Sequence, residues 1–138
     1  AEGALAARNR LLMEKYAAMR AEACAECWNT DDAELVVVAF GSMARIARSA
    51  IRKLREEGLK AGLFRPKTLY PFPADALRAL APGRRFLVIE QNTGQMVEDV
   101  RLSLMGENAK VDWHGVMPGL FIGADALEDP IRQACKEN

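Results

Sequence analysis

The chain has 138 residues, half of them hydrophobic, with 19 Lys and Arg against 19 Asp and Glu and a formal net charge of zero. That length suits one domain, or one domain with an arm, and the charge balance gives no support to a nucleic-acid or anionic-membrane role. No apolar run is long enough to span a bilayer and no signal-peptide pattern is present. A cytoplasmic setting is expected, and a start at Ala1 rather than Met suits a piece of a longer protein.

Residues 3–28 read as one long amphipathic helix. Leu5, Leu12 and Met19 recur every seven residues, with Tyr16 and Ala23 between them, making a narrow apolar stripe for the domain or a partner subunit. Asn29-Thr30-Asp31-Asp32 is a polar turn. Cys24 and Cys27 form a C-x-x-C inside this helical pattern, and Cys135 stands alone. A zinc or iron–sulfur site needs about four ligands, and the one histidine, His114, is far away in sequence. Structural thiols in a reducing compartment are the expectation; a redox protein would want Cys24 at a helix start, where its pKa is depressed.

The apolar runs at 35–40, about 60–64 and 85–90 show no alternation, as in parallel strands covered on both faces. Gly41-Ser42 follows the first, with Ser42 as the expected N-cap of a helix whose apolar face is Met43, Ile46, Ala50 and Leu54. Gly58 stands where a left-handed C-cap is wanted. Pro66, Pro71 and Pro73 forbid helix through 65–72, so Arg65 is expected just after the second strand. Further helices are predicted from Ala74 to before Pro82, from Gly94 to Leu104 and over about 124–136. A shorter, alternating fourth strand is predicted at 109–114. The resulting fold class is α/β: a three-layer α/β/α arrangement around a mainly parallel four-stranded sheet in the spatial order 2-1-3-4. Residues 1–30 form an N-terminal helical arm and 31–138 the domain.

No G-x-G-x-x-G, G-x-x-x-x-G-K-[ST] or G-x-S-x-G is present, and nothing makes a self-sufficient active site. No catalytic residue and no metal ligand is assigned. What remains is the carboxyl edge of the sheet, where ligands and partners gather in such folds. Gly41 and Ser42 open a helix N-terminus, Arg45 lies one turn in, and Arg65 and Thr68 follow the second strand. Glu90, Gln91, Asn92 and Gln95 follow the third. These nine residues are the candidate interface or anion-contacting edge, with Arg65 the best single candidate because a guanidinium pairs bidentately with carboxylate or phosphate. Read from the residues alone, an independent α/β module binding an anion or nucleotide between Gly41 and Asn92 stays open.

The same turns carry a family resemblance. Ala39-Phe40-Gly41-Ser42-Met43-Ala44-Arg45-Ile46-Ala47, Gly62-Leu63-Phe64-Arg65-Pro66-Lys67-Thr68-Leu69-Tyr70-Pro71-Phe72-Pro73 and Glu90-Gln91-Asn92-Thr93-Gly94-Gln95-Met96-Val97-Glu98-Asp99-Val100-Arg101 resemble, in order and spacing, three turns of the α subunit of 2-oxoacid:ferredoxin oxidoreductases. The preceding Glu14-Lys15-Tyr16 leans towards 2-oxoisovalerate or 2-oxoglutarate members over pyruvate members. The chain departs from the family after the fourth strand, where Met117-Pro118-Gly119-Leu120 replaces a Gly-Gly step. The resemblance implies a transketolase C-terminal-like domain that is non-catalytic by itself and supports subunit assembly and one wall of the site. It also implies a complex with thiamine diphosphate, Mg2+, iron–sulfur clusters and coenzyme A, a thiamine-binding β subunit, an iron–sulfur subunit, and ferredoxin as electron acceptor.

Overall fold

The solid apolar strands divide their side chains between two covering layers. In β2 (Leu35–Val38), Leu35 and Val37 point to one face, where α2 (Gly41–Glu56) and α5 (Asp125–Lys136) supply Ala47, Ile51, Leu54, Leu127 and Ile131. Val36 and Val38 point to the other, against Leu77 of α3 (Ala74–Arg78) and Met96, Val97 and Val100 of α4 (Met96–Ser103). Phe64 and Phe86, from β3 (Ala61–Pro66) and β4 (Arg85–Glu90), are fully buried in that second layer. Burial of each such side chain contributes roughly 1.5–3 kcal/mol relative to exposure. This computed structural model describes residues 2–137.

The four expected strands pair in parallel, and β3, β2, β4 and β5 (Val111–Gly115) lie side by side. That is the predicted spatial order. The sheet nevertheless has five strands, in the order β1-β3-β2-β4-β5, because Ala25–Trp28 (β1) adds an antiparallel strand beside β3.

The helix expected over 3–28 is therefore shorter: α1 ends at Met19 and a 3-10 turn covers Arg20–Glu22. Tertiary contacts override the local helical pattern. The Cys24 carbonyl accepts from the N–H groups of Lys67 and Thr68, at 2.8 and 3.2 Å, and the Cys24 N–H donates to Thr68 Oγ1 at 2.9 Å. Glu26 lies opposite Arg65 in the register and within 3.4 Å of its guanidinium. Arg48 of α2 stacks over the Trp28 ring at 4.9 Å. Asn29 then turns back with φ at 52°, and its carbonyl passes so close to Gly62 that a Cβ there would meet it at 2.5 Å. Only glycine fits that crossing. Cys24 and Cys27 thus flank and join an edge strand instead of sharing a helix face.

Smaller corrections follow from hydrogen bonding. β3 runs on through Pro66, opposite Ala25, so Arg65 lies inside the strand. The N-cap of α2 is Phe40, with Gly41 and Ser42 already in the first turn. Gly58 does take the left-handed cap, at φ 88°, donating to the Arg55 carbonyl. α1 leaves Leu5, Leu11 and Met13 exposed, and its Tyr16 meets Tyr70 edge-to-face at 6.4 Å. No described helix is long and apolar enough to cross a membrane.

Candidate functional site

The crossover pattern sends β3 to one side of β2 and β4 to the other. The strand order thus reverses at β2, the arrangement that opens a crevice beyond the carboxyl ends. Three turns meet that edge, and their polar residues differ in what they do.

The turn after β4 is closed. Glu90 ends the strand fully buried. Its Oε2 accepts from the Met96 N–H at 2.8 Å, and its Oε1 accepts from the Val97 N–H at 3.1 Å and Trp113 Nε1–H at 3.0 Å. Asn92 Oδ1 accepts from the Gly94 and Gln95 N–H groups at 2.8 and 3.3 Å. Four amides entering α4 are thereby satisfied by side chains of the same chain, which offsets the positive end of the helix dipole. Gln91 Nε2 donates to the Leu120 carbonyl at 2.7 Å and pins the 117–121 loop against the edge. Glu90 was expected at the contacting surface; it lies beneath that surface and supports it. Gln95 is exposed.

The turn after β2 is open. Gly41, at φ 58°, and Ser42 are exposed, and α2 has no side-chain cap and no acidic residue in its first turn. Arg45 is exposed beside them. This is the end where unpaired amides and the helix dipole favour negative charge.

The turn after β3 is occupied from within. Arg65 Nη1 reaches Glu26 Oε2 at 3.4 Å, and Arg48 lies 3.9 Å from Glu26 Oε1. A guanidinium expected to be free for an incoming anion already faces a carboxylate across the sheet edge. Thr68 is tied to Cys24 and clamps β1.

Other ionisable groups add little chemistry. Desolvation, then Glu98 and Glu90, pushes the Asp99 carboxyl above the usual range. Desolvation lowers the imidazole pKa of His114, which sits at the end of β5 opposite Ile89. Desolvation raises the Cys27 thiol pKa, the reverse of an activated thiolate. Among the described residues no three His, Cys, Asp or Glu side chains converge on a metal-sized site. An open cleft of about 850 Å³ lies between α1 and the Leu69–Asp75 segment, with Met13, Tyr16, Tyr70 and Phe72 in its walls.

Residues 33–120 match the family described as pyruvate:ferredoxin oxidoreductase core domain II. The chain belongs to that family. The ketoisovalerate oxidoreductase subunit VorB of Methanothermobacter thermautotrophicus is 48% identical over 97 residues, which are 69% of this chain and 28% of that protein. The 2-oxoglutarate synthase subunit KorA of Methanocaldococcus jannaschii is 45% identical over 69 residues, 50% of this chain and 19% of that one. The chain thus spans under a third of the length of these relatives. Among solved structures, 2-oxoglutarate:ferredoxin oxidoreductase from Magnetococcus marinus, with 2-oxoglutarate, coenzyme A and succinyl-CoA bound, superposes with a TM-score of 0.72. The identity is 22%, over 82% of this chain and 20% of that one. A split-gene transketolase gives a TM-score of 0.65 at 20% identity, over 76% and 39%. At those identities the two structures establish the fold alone.

What sequence reasoning missed at the edge is Trp113. Its indole nitrogen binds Glu90, and its ring lies against Gly94 and Gly115, where a Cβ at Gly115 would collide with it. The signal was a tryptophan in a short alternating strand two residues before a glycine. Nothing local marks that glycine as the ring's neighbour.

Proposed function

We propose that this chain is the core domain II part of the α subunit of a cytoplasmic 2-oxoacid:ferredoxin oxidoreductase of the 2-oxoisovalerate type, with residues 31–138 as the transketolase C-terminal-like unit and 1–30 as an arm whose strand Ala25–Trp28 joins that unit's sheet. The observation that carries this reading is the 48% identity to a ketoisovalerate oxidoreductase subunit across 69% of the chain. The domain is non-catalytic by itself. It supports subunit assembly and contributes one wall of the site at which a 2-oxoacid is oxidatively decarboxylated to an acyl-CoA.

Thiamine diphosphate with Mg2+, iron–sulfur clusters and coenzyme A serve that chemistry in the whole complex. The start of α4 does not fit a diphosphate, since Glu90 and Asn92 already take its amides. This chain's own contribution is positional: the closed third turn gives the wall its shape, and Gly41, Ser42 and Arg45 face a neighbouring domain or subunit. Thr68 and Arg65 hold the flank. The partners are the rest of the α subunit, a thiamine-binding β subunit and an iron–sulfur subunit, with ferredoxin accepting the electrons.

The test is to co-express the full-length subunit carrying this sequence with its neighbouring gene products, purify by a tag on this subunit, and assay coenzyme A-dependent ferredoxin reduction. Co-purification and faster turnover of 2-oxoisovalerate than of 2-oxoglutarate or pyruvate are expected. A subunit that purifies alone and supports no 2-oxoacid oxidation contradicts the reading; a preference for 2-oxoglutarate contradicts its substrate.

A further inference from the structure

We infer that Glu90 is the positioning residue of the carboxyl edge, holding the 91–95 turn, the start of α4 and the end of β5 in the shape that a neighbouring domain or subunit reads; this rests on the assembly role proposed above. A carboxylate only accepts hydrogen bonds, and three donors from two separate elements converge on this one: Met96 and Val97 N–H at 2.8 and 3.1 Å, and Trp113 Nε1–H at 3.0 Å. Glu90 is fully buried, so it touches no partner itself. Its effect passes through the groups it fixes.

Trp113 carries that effect sideways. A Cβ at Gly94 would lie 3.6 Å from two of its ring atoms, and at Gly115 there is no space for one. The indole therefore spans the third turn and the end of β5, and its tilt is set by the bond to Glu90. Asn92, whose carbonyl lies 3.2 Å from the same Cβ position at Gly115, closes the ring of contacts. β4, the turn, α4 and β5 share one carboxylate, and the segment 92–95 is what they present outward.

The Gln side chain tests this, because its amide cannot accept from all three donors. With Oε1 on Val97 and Trp113, the NH2 group faces the Met96 N–H, so only part of the network returns. The experiment uses the full-length subunit with its partners and reads two quantities: association affinity, and hydrogen–deuterium exchange of the peptide covering 91–100. Glu90→Ala is expected to weaken association and to speed exchange at Met96 and Val97, each roughly tenfold, the effect of leaving a buried donor unmet. Glu90→Gln falls between it and the wild type. Ile131→Val, a core substitution on the opposite face, lowers the melting temperature without changing either quantity.

Wild-type affinity for Glu90→Ala overturns the inference alone, as does a weakening by Ile131→Val equal to that of Glu90→Ala. Should Glu90→Ala fail to fold, wild-type affinity and exchange in Glu90→Gln overturn it instead. A wild-type subunit that does not associate overturns the proposed function and this inference with it.

Discussion

α2 and α4 both begin just beyond the carboxyl end of a central strand, yet they begin in opposite ways. At α4, Glu90 and Asn92 take four amides from within the chain. At α2, no side chain caps the first turn, and Gly41, Ser42 and Arg45 stand exposed. An isolated domain gains about 1 kcal/mol from each N-cap and has no reason to forgo one. The open end is therefore where a function beyond the domain's own stability is to be sought, and the closed end is the frame beside it.

The sharpest way to break this contrast is to open the closed end. Glu90→Ala should lower unfolding free energy by about 2–3 kcal/mol, since two buried amides and the half-exposed Trp113 indole lose their acceptor; urea denaturation measures it. Gly115→Ala comes next, at about 1 kcal/mol, because the half-exposed Trp113 ring lies over that glycine and has to shift. Asn92→Ala should cost about 1 kcal/mol, the value of a lost cap. His114 gives a smaller effect that depends on pH. Its folded pKa lies below its unfolded value of about 6.5. The unfolded chain therefore binds more protons in that window, and stability falls as pH drops below about 6.5. His114→Gln should flatten a plot of melting temperature against pH over that range. Ser42→Ala at the open end and Arg65→Ala on the β3 flank should each change stability by less than about 1 kcal/mol. Ser42 caps nothing, and the Arg65–Glu26 pair is exposed.

The contrast was only half legible in the sequence. The runs Leu35–Val38 and Phe86–Ile89 lack alternation because both faces are covered, and that pointed to the parallel core. Gly58 declared its left-handed cap through identity. Ala25–Trp28 did not declare itself, since its strand state depends on Thr68 and Arg65, about 40 residues away. The nine edge residues were found as a group by their position after strands. Their division into framing and exposed residues was not readable, because Glu90 and Gln91 resemble any polar pair at a strand end until α4, Trp113 and the Leu120 carbonyl are in place around them. The Arg65–Glu26 pair was not readable for the same reason: Glu26 lay in a segment read as helix.

The most direct test of the facing role of the open end is Ser42→Trp in the full-length subunit, co-expressed with its partners and run on size exclusion with light scattering. The indole fills the open first turn of α2 without displacing a buried group, since Ser42 is exposed. The expected result is loss of the complex with the subunit's own melting temperature unchanged. A complex of wild-type mass, affinity and 2-oxoacid turnover would show that nothing docks at Gly41-Ser42, and would contradict the claim that this edge is a wall completed by a neighbour.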